Sequence, residues 1–229
     1  MKYRAAYHTD VGIKKKNNQD SLAIKIAETP NGQAAFAIIC DGMGGLAKGE
    51  LASKEVINAY CDWFEHDFVK LVRTGTFNTA ILKEQWDRIA VTENEKLKAY
   101  GDSRVYELTD KMEQLTQDQT LVAREIAAGR LTPEQAETDS RRSILLQCVG
   151  ASPVVEPDFI RGYITQNASY LLCSDGFRHK ISEDEIMAKL SPLAAPDEDK
   201  MKEGCIFLTD LVKYRKETDN ITVLLVKAE

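Results

Sequence analysis

The hydrophobic and polar positions of the N-terminal third alternate in short runs that predict β-strands. Residues 21–26 form one such run, residues 35–40 form another, and Pro30-Asn31-Gly32 between them is typical of a turn. Two strands joined by such a short turn run antiparallel. The pattern therefore predicts a hairpin here rather than a strand–helix–strand unit.

Apolar residues then recur at helical spacing over two long stretches. The first predicted helix runs from about residue 48 to residue 72, and a second follows over residues 77–89. A last amphipathic helix covers residues 201–215, and a β-branched strand covers residues 221–226. Strands and helices interleaved this unevenly predict an α+β fold. Two segments have the form of helix starts, with a hydroxyl cap and Gln or Glu three residues later: Thr132 with Gln135, and Ser182 with Glu185.

Composition narrows the class of protein. A chain of 229 residues, 43% of them apolar, fits one domain over residues 1–229. Its 36 acidic and 30 basic residues give a net charge of −6, which argues against binding to nucleic acid through phosphate contacts. No apolar stretch reaches the length of a membrane span, and the N-terminus lacks the apolar core of a signal peptide. The five cysteines form no Cys-x-x-Cys pair, so we expect reduced thiols and a cytoplasmic protein.

Four aspartates share one setting, the boundary between an apolar strand and a loop. Asp20 precedes the strand SLAIKI, Asp41 ends AFAIIC, Asp175 ends YLLCS, and Asp219 precedes ITVLLV. If these strand ends meet, the carboxylates repel one another unless a cation lies between them. Oxygen ligands without Cys or His suit Mg²⁺, Mn²⁺ or Ca²⁺. The alternative is that each aspartate only forms a turn.

The loop after Asp41 allows a different interpretation. Residues 42–47 (GMGGLA) satisfy the G-x-G-x-x-G/A fingerprint of dinucleotide-binding oxidoreductases. Two features oppose it: the preceding strand belongs to a predicted hairpin, and Asp41 would place a negative charge beside a pyrophosphate. A metal held by acids and a phosphate held by glycines imply different enzymes.

Six segments, in this order, resemble the metal-dependent protein phosphatases of type 2C, in their bacterial form. They extend over nearly the whole chain: GIKKKNNQD (12–20), CDGMGG (40–45), GDSRVY (101–106), LTQDQT (115–120), CSDGF (173–177) and DNITVLLV (219–226). The resemblance implies a sandwich of two antiparallel β-sheets flanked by α-helices, in four αββα layers. It also implies hydrolysis of phosphoserine and phosphothreonine in proteins by a water that bridges two Mg²⁺ or Mn²⁺ ions.

The resemblance assigns roles to particular residues. Asp41 bridges both ions, and Asp175 and Asp219 complete the shell of the first. The Gly42 carbonyl helps to hold the second ion, on which Asp20 acts through water. Asp102 matches the position that holds a third, looser ion.

The chain departs from the family pattern in four places. Lys15 stands where the family has an arginine that grips the substrate phosphate, and a lysine loses the two-pronged grip. Met43 and Gln119 stand where some relatives have histidine. Relatives also have a strand pair before the GDSR segment, whereas here a helix-like stretch leads into Gly101. We therefore expect a sheet that lacks this pair.

The leading interpretation is an active serine/threonine phosphatase that acts on phosphorylated substrates of kinases. The departures motivate an alternative, a non-catalytic scaffold of the same fold that binds phosphoproteins. The dinucleotide-binding oxidoreductase is the more remote alternative.

Overall fold

The predicted hairpin is present and belongs to a two-sheet sandwich. The computed structural model describes residues 1–42, 49–96, 103–141, 144, 146 and 154–229. Within these residues the strands are β1 Tyr3–Asp10, β2 Ser21–Thr29, β3 Gly32–Cys40, β4 Arg104–Leu108, β5 Met112–Gln114, β6 Ser169–Cys173 and β7 Ile221–Ala228. β2 and β3 pair with each other, and the remaining strands form a second sheet in the order β1-β7-β6-β4-β5. Every pairing is antiparallel.

Helices cover the outer faces of the two sheets. They are α1 Gly49–Trp63, α2 Val69–Arg73, α3 Thr79–Lys96, α4 Leu121–Ala127, α5 Pro133–Thr138, α6 Asp175–Arg178, α7 Glu183–Leu190 and α8 Glu198–Tyr214. The long helix predicted over residues 48–72 is confirmed from Gly49 onward. The spacing of apolar residues in this stretch did not reveal the π-helical turn Phe64–Phe68, which joins α1 to α2.

Both predicted helix caps are confirmed. The Thr132 side chain accepts a hydrogen bond from the backbone of Gln135, and the Gln135 side chain accepts one from the backbone of Thr132. Ser182 and Glu185 make the same reciprocal pair at the start of α7. Each pair satisfies two backbone N–H groups that a helix start would otherwise leave without partners.

The two-residue period of β3 divides its side chains between two layers. Phe36 packs outward against Trp63 and Phe64 of the helical layer. Ala37 and its alternate neighbours pack inward against Leu224 and other residues of the five-stranded sheet. The opposite face of that sheet packs on α7 and α8, with Leu190, Leu208 and Leu225 fully buried. The order helix–sheet–sheet–helix confirms the predicted four-layer αββα sandwich.

The described residues hold no strand between α3 and β4. Helix α3 runs to Lys96 and β4 begins at Arg104, with residues 97–102 outside the described part of the chain. Throughout that part, the sheet of β2 and β3 has two strands. The loss of a strand pair before Gly101 stays a prediction, since residues 97–102 lie outside the described part.

Candidate metal centre

The hairpin places two of the four aspartates at one end of its sheet. Ser21 pairs with Cys40 at the open end of β2 and β3. Asp20 immediately precedes β2 and Asp41 immediately follows β3, so both acids leave the hairpin at this end. Gly42 is buried beside them, and a methyl group in its place would lie 2.4 Å from the Gln19 carbonyl oxygen. The chain passes too closely here for any side chain.

Strands β6 and β7 bring the other two aspartates to the same region. Cys173 pairs with Val223, and the Ser174 N–H continues the pairing by donating to the Thr222 carbonyl at 3.0 Å. Asp175 then opens the short helix α6. Its neighbour Gly176 lies so close to the loop before β7 that an added methyl group would be 2.1 Å from the Asn220 carbonyl oxygen.

Asn220 connects the two pairs of acids. Its side-chain Oδ1 accepts a hydrogen bond of 2.9 Å from the backbone N–H of Gln19, the residue before Asp20. Its Nδ2 donates to the carbonyl oxygens of Val11 and Asn17 at 2.9 and 3.1 Å. One buried side chain therefore holds the 11–19 loop against the start of β7.

Asp20 is the most deeply buried of the four acids, with 9% of the residue exposed. Its Oδ2 atom is buried without a hydrogen-bond partner among the described residues. The pKa of Asp20 is raised to about 6: burial is the largest cause, the charges of Asp175 and Asp219 add to it, and hydrogen bonds from the hydroxyls of Thr222 and Ser174 act in the opposite direction. Because the charges of Asp175 and Asp219 act on Asp20, the acids of the two sheets lie near one another.

Lys15 supplies positive charge to this cluster. Its Nζ lies 2.7 Å from Oδ1 of Asp219, and the two side chains are 33% and 43% exposed. Partial burial opposes the charged form of Lys15, but the hydrogen bond to Asp219 and the attraction of Asp219, Asp41 and Asp175 outweigh it and raise the pKa of Lys15. Asp41, Asp175 and Asp219 therefore all lie near enough to Lys15 or Asp20 to shift the pKa of one or the other.

Two further groups near the acids were not found by sequence reasoning. Glu217 is buried, and its Oε1 accepts hydrogen bonds from the backbone N–H groups of Thr218 and Asp219 at 2.7 and 3.0 Å. His179, one turn after Asp175, lies 3.9 Å from Asp175 and 4.0 Å from Glu217. Their positions follow no periodic pattern, and the only signal in the sequence is their nearness to Asp175 and Asp219.

The residues present fit a hard divalent cation by their chemistry. The donors are carboxylates and a backbone carbonyl, which Mg²⁺ and Mn²⁺ prefer, and one buried carboxylate oxygen of Asp20 lacks a partner. As the side chains stand, the described part of the chain contains no group of three or more Asp, Glu, His or Cys side chains that could hold a metal ion. The ligand set therefore stays a prediction. Asp102, predicted for a third ion, lies outside the described residues, as does Met43.

Two other segments of the family pattern meet at the start of β4. Arg104 of β4 donates to the carboxylate of Asp118 through Nε at 2.8 Å and also through a terminal nitrogen. The Val105 N–H donates to Thr116 Oγ1 at 3.0 Å. The side chain of Gln119, predicted to stand in place of a histidine, hydrogen-bonds to Asp158. The GDSRVY and LTQDQT segments are thus neighbours in space.

Comparison with known proteins agrees with this fold. A relative from Streptococcus pyogenes, named as a protein phosphatase of the 2C type, is 31% identical over 243 residues, which cover 96% of each chain. The serine/threonine phosphatase of S. agalactiae has a similar structure, with a TM-score of 0.81 and 25% identity over the full length of both chains. The catalytic domain of the phosphatase PstP, solved with 2 manganese ions, gives a TM-score of 0.73 and 26% identity over 99% of both chains. No family model matches the chain.

These similarities define the class of protein. The chain is a metal-dependent serine/threonine protein phosphatase, a hydrolase of phosphate esters. It belongs to the type 2C family. The oxidoreductase alternative has no support, because the strand before the glycine loop belongs to an antiparallel hairpin and not to a strand–helix–strand unit. In the described part of the chain, no helix is long and apolar enough to cross a membrane.

Proposed function

We propose that the chain is a single catalytic domain that binds two Mg²⁺ or Mn²⁺ ions between its two sheets and hydrolyses phosphoserine and phosphothreonine in proteins. The convergence of Asp20, Asp41, Asp175 and Asp219 is the observation that carries the proposal. Although the four acids come from two sheets and are distant in sequence, Asp175 and Asp219 raise the pKa of Asp20, and all three of Asp41, Asp175 and Asp219 raise the pKa of Lys15. Such a concentration of carboxylates is stable only with a compensating cation.

Each acid has a proposed part in holding the ions. Asp41 would be shared by both ions, Asp175 and Asp219 would hold one of them, and the Gly42 carbonyl would hold the other, on which Asp20 would act through water. When bound, such ions lower the pKa of water and neutralise charge on both oxygens of an in-line displacement. A third ion at Asp102 is a further proposal, with the family resemblance as its support.

The chain's own residues also orient the substrate. Lys15 is the proposed phosphate ligand, since its ammonium contacts Asp219 and its side chain is one-third exposed. Asn220 holds the 11–19 loop, and with it Lys15, against the acids of the second sheet. Glu217 fixes the backbone of Asp219 by accepting its N–H.

Phosphorylated proteins are the proposed substrates, in particular proteins that serine/threonine kinases modify. The cytoplasm is the proposed location. Four cysteines among the described residues carry free thiols, which is typical of a reducing compartment.

The direct test compares Asp219→Asn with the wild type on a phosphothreonine peptide in Mn²⁺. We expect the wild type to lose activity in a chelator and to regain it with Mn²⁺. Asp219→Asn should lower kcat/KM by roughly 100-fold or more, since it weakens the binding of a cation that would neutralise negative charge in the transition state. Asp210→Asn is the matched control, because Asp210 lies on the outer face of α8 with 66% of its side chain exposed.

Two results would contradict the proposal. A correctly folded Asp219→Asn protein with wild-type activity would remove Asp219 from the site. Wild-type protein that binds Mn²⁺ but turns over no phosphopeptide would instead support the non-catalytic scaffold.

A further inference from the structure

Lys15 is the proposed phosphate ligand and Asp219 a proposed metal ligand, yet the two side chains form an ion pair with each other. Lys15 Nζ lies 2.7 Å from an Asp219 oxygen, a full hydrogen bond to a proposed metal ligand. Lys14 and Lys16, its neighbours in the same charge run, are exposed. Of the three lysines, Lys15 is the one turned toward the acids.

An ammonium ion and a metal ion compete for the same carboxylate. Oδ1 of Asp219 accepts a hydrogen bond from Lys15, and the lone pair used in this bond cannot also bind a cation. A divalent ion near Asp219 would also be repelled by a positive charge at this distance. Oδ1 of Asp219 also accepts a hydrogen bond from the Asn220 N–H, and Oδ2 takes no part in the pair, so Lys15 opposes a metal ion at Asp219 by its charge and by its hold on Oδ1.

The chemistry of lysine suits a charge that moves between two partners. Its ammonium is a compact charge on a flexible stem, whereas an arginine binds a carboxylate with a planar two-pronged grip that is harder to release. A lysine at position 15 can thus pair with Asp219 and later with a phosphate.

We propose that Lys15 is a resident counter-ion of the metal centre, which divalent metal displaces from Asp219 and so releases toward the substrate phosphate. The inference rests on the proposed function. It adds that metal loading is opposed by Lys15 and that phosphate capture by Lys15 depends on metal loading. In the metal-free protein the same residue compensates the charge of the acids.

Mn²⁺ binding by calorimetry, in a buffer of low ionic strength without phosphate, tests the inference independently of catalysis. Lys15→Gln should bind Mn²⁺ roughly three- to tenfold more tightly than the wild type, because a competing partly exposed charge is removed. Lys15→Met, which keeps most of the stem, is a second neutral variant in case one fails to fold. Lys15→Arg keeps the charge and should bind no more tightly than the wild type.

Lys14→Gln is the matched control. It removes the same charge one residue away from an exposed position, so its Mn²⁺ affinity should stay close to that of the wild type. The difference between the position 14 and position 15 variants should shrink as salt is raised, because the interaction is electrostatic. With Mn²⁺ loaded, Lys15→Gln should raise the inhibition constant of inorganic phosphate.

The outcomes separate the two proposals. Equal Mn²⁺ affinity in the wild type and in both Lys15 neutral variants, or weaker binding in those variants, overturns the counter-ion role but leaves the metal centre standing. A wild-type protein that binds no Mn²⁺ overturns the proposed function, and the inference with it. If Lys14→Gln and Lys15→Gln both bind Mn²⁺ more tightly than the wild type and to the same degree, the effect is one of net charge alone. That result also overturns the inference.

Discussion

The two halves of the sandwich contribute equally to the acid cluster but are packed very differently. In the half formed by β6, β7, α7 and α8, every residue of β7 is buried. In the half formed by β2 and β3, Phe36 is buried while the other strand residues are half-buried or exposed. Asp175 and Asp219 therefore come from a rigid support, and Asp20 and Asp41 from a lightly covered one.

From this difference we infer that the well-packed half, with β6 and β7, fixes the position of the site. A close-packed core transmits strain and resists displacement, so the Asp175 and Asp219 backbones have little freedom. The hairpin with the other two acids is held to this support mainly by the Asn220 hydrogen bonds and by inter-sheet contacts of small and branched residues such as Ala37. Variants that act on one half at a time can test this asymmetry.

The largest expected effect comes from glycine substitution at the two ends. Gly176→Ala would place a methyl group 2.1 Å from the Asn220 carbonyl oxygen in the rigid half. We expect it to lower the free energy of unfolding by about 4 kcal/mol, since backbone on both sides resists movement. Gly42→Ala, with a contact of 2.4 Å in the lightly covered half, should cost only about 1–2 kcal/mol.

Urea denaturation measures both values. Gly162→Ala is the control, because an added methyl group there meets no atom within 4 Å. Equal losses at Gly176 and Gly42 would mean that the two halves are equally rigid.

A matched pair of leucines gives the next largest effect. Leu225 of β7 is fully buried in the core beneath α8, whereas Leu22 of β2 is half-buried between the sheets. Leu225→Ala should lower the free energy of unfolding by about 3–4 kcal/mol, because it leaves a cavity that a close-packed core cannot fill. Leu22→Ala should cost about 1 kcal/mol, since its transfer from water is incomplete. A reversed order in thermal or urea unfolding would refute the asymmetry.

A third test, with a smaller effect than Gly176→Ala or Leu225→Ala, concerns the connection between the halves. Asn220→Ala removes the acceptor of the Gln19 N–H and the donor to the Val11 and Asn17 carbonyls. We expect a loss of about 2 kcal/mol in unfolding free energy, together with weaker Mn²⁺ binding, because the Asp20 loop loses its attachment. Asn31→Ala, at an exposed turn, controls for the loss of an amide side chain. Unchanged Mn²⁺ affinity in Asn220→Ala would show that other contacts position the loop.

Much of the fold could be predicted from local signals. The hairpin of β2 and β3, the two helix caps and the amphipathic α8 each depend on residues near one another in the chain, which periodicity and capping rules detect. The π-helical turn Phe64–Phe68 was not predictable in this way. Its stacked rings, Phe64 and Phe68 with centroids 4.7 Å apart, still follow a helical spacing.

The candidate site, like the fold, could be predicted from local sequence signals only in part. Asp20, Asp41, Asp175 and Asp219 stood out because each lies at the end of an apolar strand, and the order of six segments indicated the family. Glu217, His179 and the bonding of Asn220 did not stand out, since their roles come from contacts between loops far apart in sequence.

The sequence by itself determined the strand ends, the caps, the acids and the family, because these are encoded in residue type and spacing. Only the tertiary structure decided that Asn220 joins the 11–19 loop to β7, that one half of the sandwich is far better buried than the other, and that Lys15 pairs with Asp219. The reason is physical. Residues 15 and 219 become neighbours only after β1, β6 and β7 have paired, and side-chain charges acquire partners only when the folded backbone brings them within a few ångströms.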